Sequence, residues 1–528
     1  MDYWAKPGLD RRQTQLFYPT LDQHIGQDHP VRHLDEILRR LDWSAWEREY
    51  DLRRGQPPIH PRVLAGAILY GLMRRIRSSR QLEYACANNL DFLWLVERQS
   101  LDHDTICKFR VKFKGPLKAL FKQVNQVAMA MGLIRLVEVA FDGTRVKADA
   151  SRFHTWTAEK LQKVLQELET EIGRMLDESE AADAADATLW GPGEAKELPA
   201  DLADATKRRE KLRQTLEKLH EADAARKQDG INPERNPAQL PQADPDSRVL
   251  PNKEGGYAPN YTPLAATDGT RGFIVDADVI PGPSEQNELL PSMDRIHEDY
   301  GRYPERPLAD AAFGTGTNLA GMETRGMDFH SPVESPSPQP GNPALREDPR
   351  QPVPEADWPK LPRNDKKKLA KCCFLYDPEA DCCWCPMGRA MPYDQTKKYD
   401  RASGPVRLRM YRGQQCEGCP LASECLDPKA KHGRTVGRDG YEPLREKMHA
   451  KLQTEEGKKT YDQRMHIGET PFAVIKAILG VRRFLLRGLE KVRTEWLWVC
   501  TAYNLRKLIA VLVALRAELG GTLALVGD

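Results

Sequence analysis

Three acidic residues occupy positions where a carboxylate can do chemistry. Asp142 closes an apolar strand, Val137–Phe141, in VEVAFDGTRVKADAS. Asp310 closes another strand in RPLADAAFG, and Glu469 stands at the opening of a helical block in YDQRMHIGETPFAVIKAILG. Acidic side chains drawn from three such places suit phosphodiester cleavage, in which they converge on two Mg²⁺ ions about 4 Å apart. Mg²⁺ takes oxygen ligands and keeps several waters, so two or three carboxylates suffice. Asp142 taken alone, with Gly143 after it, reads first as an ordinary turn. Tyr461, Arg464, Glu469 and Lys476 form a fixed series. On a helix Lys476 lies about two turns beyond Glu469 and on a similar face. A base placed there can hold a DNA phosphate while the acid holds a metal. Arg482, Arg483, Arg487, Arg506 and Lys507 follow. They read either as a strand-binding surface or as the solvated face of a basic amphipathic helix.

A second set of residues is suited to metal. Cys416, Cys419 and Cys425 give C-x2-C-x5-C, with Cys385 upstream in CPMG. Four thiolates make a tetrahedral zinc site, here a structural one that knits an insert with little core of its own. An iron–sulfur cluster is the other metal reading, and small buried thiols the bland one. Cys372, Cys373, Cys382 and Cys383 leave the fourth ligand ambiguous, whereas Cys86, Cys107 and Cys500 read as plain helix core. The histidines show no HExxH spacing. No glycine-rich phosphate loop points to nucleotide hydrolysis, and no Gly-x-Ser-x-Gly to a serine hydrolase.

The elements that must position these residues follow from periodicity. Residues 1–135 read as a helical N-terminal domain, with apolar residues at i, i+3, i+4 and i+7 in HPVRHLDEILRRL and HPRVLAGAILYGLMRRI. Ser78 and Gln81 are spaced as a capping box, and Asp102 or Asp104 caps a further helix with a basic end. Short helices with basic ends resemble a helix-turn-helix arrangement. Residues 136–150 read as a β-hairpin, with strands over 137–141 and 145–148. Residues 156–249 read as a charged helical insertion folded into an antiparallel pair, with a loop over AADAADATLWGPGEAKELPADLAD. Strands return over 250–330, where NYTPLAAT and GFIVDADVI flank the turn DGTR. Asp149 and Asp268 fall outside the expected site, while Asp276 and Asp278 share one face of a strand. Residues 331–366 form a Pro-rich linker, 367–435 a Cys-rich insert and 440–518 closing helices. The result is an α/β architecture whose core, 136–155 with 250–330 and 440–518, is assembled from distant segments.

Composition sets bounds. A chain of 528 residues, 40% hydrophobic and 30% charged, has the apolar surface for real cores. Its net charge of +2 says nothing about nucleic acid, but residues 51–130 carry about twice as many basic as acidic side chains. Residues 1–30 lack a basic segment followed by an apolar one. The run LIAVLVAL is too short to span a bilayer, so no membrane partner is expected. Eleven clustered or scattered cysteines then fit a reducing cytoplasm.

The ordered set of SLDHDTICKFR, FDGTRVKADAS, LADAAFGTGTNL, CPMG…CEGCPLASEC and YDQRMHIGETPFAVIK…TAYNLRKL resembles the bacterial insertion-sequence transposases of the DDE class, in the subgroup with a Tyr-Arg-Glu-Lys signature. The resemblance spans nearly the whole chain. It implies a discontinuous ribonuclease-H-like catalytic core that uses Mg²⁺ (or Mn²⁺) to cut transposon ends and join them to target DNA. It makes Asp142, Asp310 and Glu469 the metal ligands. Tyr461, Arg464 and Lys476 become the DNA-contacting signature, with Arg483 beside them. It further implies double-stranded DNA as partner and a homodimer bridging two ends. The chain departs from the family by one extra residue between Arg464 and Glu469, by Thr470 before Pro471, and by DAAFG in the second acidic loop. Two other readings stay open: a metal-dependent nuclease without strand transfer, and an inactive DNA-binding derivative.

Overall fold

A computed structural model of the chain describes residues 20–50, 57–190, 200–228, 231–252, 255–335, 337–401, 404–427, 430 and 432–518. Expectations for residues 1–19, and for the loop at 191–199, lie outside the described residues. In chain order the main helices are α1 (Pro30–Arg40), α2 (Pro61–Met73), α3 (Ser79–Asn88), α4 (His103–Lys112), α5 (Lys114–Ala130), α6 (Ala158–Trp190), α7 (Ala200–Gln228), α8 (Leu289–Tyr300), α9 (Gly316–Thr324), α10 (Glu442–Gln453), α11 (Glu455–Ala477) and α12 (Leu489–Glu518). The main strands are β1 (Glu138–Gly143), β2 (Val146–Lys147), β3 (Arg248–Pro251), β4 (Tyr257–Asp268), β5 (Ile274–Ile280), β6 (Arg306–Leu308), β7 (Leu375–Asp377), β8 (Cys382–Trp384), β9 (Ala390–Arg401), β10 (Gly404–Arg412) and β11 (Thr435–Arg438). Contacts divide the chain into two compact units. One comprises Met1–Met131, Val146–Tyr261 and Ala473–Asp528; the other comprises Gly132–Arg145 and Thr262–Phe472.

The first unit is built round α12. This helix is apolar on nearly all sides, as a fully enclosed helix should be. By length and composition alone it is apolar enough to cross a membrane, but most of its apolar stretch is buried inside the protein. Trp498 packs on Trp46 (ring centroids 6.0 Å) and donates to the Arg110 carbonyl at 3.1 Å. Asn504 donates to the buried Asn125 at 2.7 Å. Several basic residues of the helical N-terminal region are spent internally. Arg75 donates to the Ile478 and Ala477 carbonyls, both at 2.6 Å, and Arg77 pairs with Glu495 at 2.8 Å. At the expected capping box, Ser78 is the N-cap of α3 but its side chain makes no capping bond, whereas Asp102 accepts from Thr105 N–H at 2.8 Å. α6 and α7 pack through Leu161, Leu165 and Leu219. α6 continues through the alanine-rich stretch read as loop, because Ala is the strongest helix former.

In the second unit, the second half of β4 pairs antiparallel with β5 and with β1, and β1 pairs parallel with β6. The strand order is therefore β5-β4-β1-β6, and a parallel bridge from Leu308 to His330 extends it. The expected hairpin over 136–150 is not formed. β1 pairs with β4 at Asp142↔Ala265, and β2 pairs with β4 at Val146↔Tyr261. A two-residue hairpin turn requires positive φ at its central residues, and Gly143 is not among the positive-φ glycines. The chain instead runs on, Thr144 N–H donating to the Pro263 carbonyl at 3.0 Å.

The Cys-rich segment forms a five-stranded antiparallel meander, β11-β10-β9-β8-β7. It has a core of its own: Phe374, Cys383, Met391 and Tyr411. Ala344 and Leu361 are buried in that core, so part of the Pro-rich stretch 331–366 packs against this module. Proline there fixes backbone shape while its ring and neighbours supply apolar surface.

Candidate active site

The site is built by strand alternation. Successive β1 side chains point to opposite faces. Phe141 goes to one face, where it meets Phe313 edge-on (5.2 Å between centroids). Ala140 and Asp142 go to the other, where Ala140 packs with Leu308 and with Ile467 of α11. Gly468 lets α11 pass close to the acid. A Cβ added there would lie 3.4 Å from Asp142 Cβ and 3.5 Å from its Oδ2. Asp310 follows β6 by two residues and caps the turn Ala311–Phe313, accepting from Ala312 N–H at 2.9 Å. Its own carbonyl accepts from Ser331 Oγ at 2.7 Å.

Glu469 does not open a helix. It lies inside α11, which continues past Thr470 and Pro471 to Ala477. An interior proline costs about 3 kcal/mol or more and usually marks a helix start or stop. Here the apolar face prevails, with Ile467, Phe472 and Ile475 all buried, and Thr470 Oγ1 bonds back to the His466 carbonyl at 2.5 Å.

The three acids meet around one guanidinium. Arg464 Nη2 lies 3.1 Å from Asp142 Oδ2 and 3.7 Å from Asp310 Oδ2, and its Nη1 lies 3.9 Å from Glu469 Oε1. The Asp142 and Arg464 side chains are 12% and 14% exposed, whereas those of Asp310 and Glu469 are 41% and 54% exposed. Burial pushes the Asp142 carboxyl above its ordinary value. Arg464 and the Gly143 N–H pull it down, and the charges of Asp310 and Glu469 push it further up. Tyr461, one turn before Arg464, has its phenol raised first by burial, with Arg464 opposing and Asp310 and Asp142 adding.

The competing acids are spent elsewhere. Asp276 is clamped by Arg295 (2.7 and 3.0 Å) and Ser292 (2.7 Å). Asp268 accepts from Leu136 N–H at 2.7 Å and Thr270 N–H at 2.9 Å. Asp149 pairs with Arg487 at 2.8 Å. Lys476 is half-buried on α11, and Arg483 is exposed, 4.0 Å from Asp149. Two contributors escaped the sequence reading. Gly468 gives only a helix-weakening signal in one dimension. Gly143 lies against the Glu285 carboxylate and Leu264, a contact no local pattern announces.

The donor set fits a hard divalent cation, being three carboxylates with no thiol or imidazole. Among the described residues no three His, Cys, Asp or Glu side chains are drawn together closely enough to hold a metal ion. Around Asp142 the reason is visible, since a guanidinium stands between the acids and already cancels part of their charge. Its Nε is buried without a hydrogen-bond partner, so the residue is not locked in place on that side. Cys385, Cys416, Cys419 and Cys425 line a separate cavity in the Cys-rich module.

Two families match the chain. A transposase DDE domain matches residues 384–509, which include Glu469, and a transposase domain (DUF772) matches residues 19–112. No curated protein matches. The DDE family implies dependence on a divalent metal and action on DNA. One match lies over the N-terminal helices and the other takes in α11 and most of α12; together the two transposase domains indicate DNA transposase function of the DDE class.

Proposed function

We propose that the chain cuts DNA at the ends of its own element and transfers the freed strands to target DNA, with Asp142, Asp310 and Glu469 as the catalytic carboxylates. The observation that carries this is their convergence, from three distant segments, on the single guanidinium of Arg464. The strand order β5-β4-β1-β6, antiparallel except for β1 with β6, supports a ribonuclease-H-like core. When bound by these acids, Mg²⁺ or Mn²⁺ supplies activation of water or a 3′-OH and stabilises the leaving oxygen. The protein's own part is positional. β1 fixes Asp142, the cap of the turn at Ala311–Phe313 fixes Asp310, and α11 carries Glu469 beside them. Asp142 must be ionised to serve, which its burial opposes and neighbouring positive charge favours. Arg464 would give way where the acids hold a metal, and Tyr461 and Arg464 in one unit, and Lys476 and Arg483 in the other, would hold DNA phosphates. Two copies bridge the two ends of the element, in the cytoplasm.

The test uses the full chain with a donor fragment carrying the native DNA that flanks its gene, with and without Mg²⁺, beside Asp142→Ala. Cleavage at the element boundary and joined products, both dependent on metal and lost in Asp142→Ala, are expected. Cleavage without joining would replace transposition by simple nuclease action. DNA binding with no cleavage by the natural protein would overturn the catalytic reading.

A further inference from the structure

The Cys-rich module contains an arrangement that the catalytic chemistry does not use. Cys385, Cys416, Cys419 and Cys425 line one apolar cavity of about 30 Å³ with Leu369, Phe374 and Met391. Each thiol is presented by a tight turn. Cys385 N–H donates to the Arg389 carbonyl at 3.0 Å, and its own carbonyl accepts from Gly388 at 2.9 Å, with Gly388 at φ +69°. Cys419 N–H bonds back to Cys416 at 3.3 Å across Gly418, at φ +67°. These two turns need glycine because only it adopts that backbone without strain. Cys425 ends the short helix Ala422–Cys425. All four thiols are free rather than disulfide-bonded, and all four line the same cavity.

Positive charge meets them there. Arg434 lines the same cavity and donates to the Cys425 carbonyl at 3.3 Å, and its buried Nε has no hydrogen-bond partner. The guanidinium is half-buried, donates also to the Leu369 carbonyl at 3.0 Å and lies over the Phe374 ring, so only its Nε–H is left unspent, at a cost of about 1–3 kcal/mol in a pocket of neutral thiols. A centre carrying net negative charge would use both the cation and that N–H. The cavity matters too. A lone zinc ion draws its sulfurs in to about 2.3 Å, and among the described residues no three such side chains are already gathered closely enough to hold an ion. The thiols line a common cavity instead, and either a single ion or a small iron–sulfur core would be held after the side chains rotate to meet it.

We propose that Cys385, Cys416, Cys419 and Cys425 form a four-thiolate site for a soft metal centre, which ties the turn before β9 to the segment between β10 and β11. The centre is structural and lies in a different part of the chain from the acids, so its test does not depend on DNA cleavage. Full-length protein purified without oxygen is assayed for zinc, iron and acid-labile sulfide. Cys416→Ser/Cys419→Ser and Cys107→Ser, the latter on an exposed thiol, run alongside. One centre per chain is expected in the natural protein and in Cys107→Ser, and none in the double variant. Iron with matching sulfide and visible absorbance identifies a cluster, and one colourless zinc a lone ion. If the double variant is insoluble, alkylation of the natural protein decides. The four cysteines resist iodoacetamide until a chelator is added, while Cys107 reacts at once. Metal-free natural protein, or four thiols alkylated as fast as Cys107, overturns the proposal.

Discussion

Replacing Arg464 by Gln removes the cation from the centre of the acid cluster while keeping much of the side-chain volume. Its pair with Asp142, 3.1 Å apart and nearly buried on both sides, has a gross attraction of about 5 kcal/mol at an effective dielectric of about 20. Desolvation of both partners cancels much of that. What remains on breaking the pair is the cost of a buried carboxylate left alone, about 3–5 kcal/mol. The lower end applies because Asp142 can take up a proton, and because Asp310 and Glu469 are exposed enough for water to screen them. Metal-free Arg464→Gln should therefore be less stable by about 3 kcal/mol, a fall in melting temperature of about 10 °C for a unit of this size. Mn²⁺ should reverse the order. In the natural protein the metal has to displace a guanidinium; in the variant it does not, so each tenfold gain in affinity adds about 1.4 kcal/mol to the metal-induced stabilisation. The assay is thermal unfolding across a Mn²⁺ titration, with titration calorimetry for affinity. If the variant melts like the natural protein without metal and responds equally to Mn²⁺, the three acids are not an electrostatic unit and the reasoning fails.

Asp142→Asn should abolish metal-dependent cleavage yet leave the metal-free protein at least as stable near neutral pH, because the neutral amide avoids the burial of a charge; cleavage and melting measured on one preparation check it. The pH dependence has a definite sign. The folded Asp142 carboxyl titrates above its unfolded value, so the folded state holds the proton longer and stability falls as pH rises through the window between the two values. The difference in melting temperature between natural protein and Asp142→Asn should change across that acid window and be flat above it, and Mn²⁺ affinity should weaken as pH falls into it. Gly468→Ala places a methyl group in ordinary contact with Asp142, so the fold should tolerate it and gain about 0.5–1 kcal/mol of helix stability, while Mn²⁺ affinity and cleavage drop because the methyl fills space beside Oδ2. Unchanged calorimetry in Gly468→Ala would mean that the metal approaches Asp142 from elsewhere.

The acids were legible because each belongs to a local pattern: an apolar strand ending in a polar residue, or a helix with a periodic apolar face. Their meeting was not, since it depends on β1 lying between β4 and β6 and on α11 crossing at Ile467. Local rules failed where tertiary packing outweighed them. Asp142-Gly143 has the composition of a hairpin turn but stays extended, because β4 offers a continuous partner on both sides of it. Thr470-Pro471 has the composition of a helix start but sits within one. The proline-rich 331–366 has the composition of a linker, yet Ala344 and Leu361 are as buried as any core residue. Arg464 is expected as a DNA contact from the family resemblance, and a resemblance in sequence carries no sign of whether a long side chain turns outward or folds back over its own acids.

That inward turn answers a problem every such site faces before it is loaded. Three carboxylates held within reach of a common point repel one another, and one of them, Asp142, is also stripped of water. A chain that gathered them with nothing between would either fold less stably or keep Asp142 protonated. A guanidinium supplied by the same helix as Glu469 meets all three acids at 3.1–3.9 Å without reproducing the compact geometry of an ion, so it offsets the repulsion and, on the proposed reading, would yield to a divalent charge. Its planar donors also suit a phosphate. On the proposed reading, the residue that balances the metal-free acids would also be chemically fitted to a DNA phosphate once displaced, and its buried Nε has no hydrogen-bond partner to hold it back.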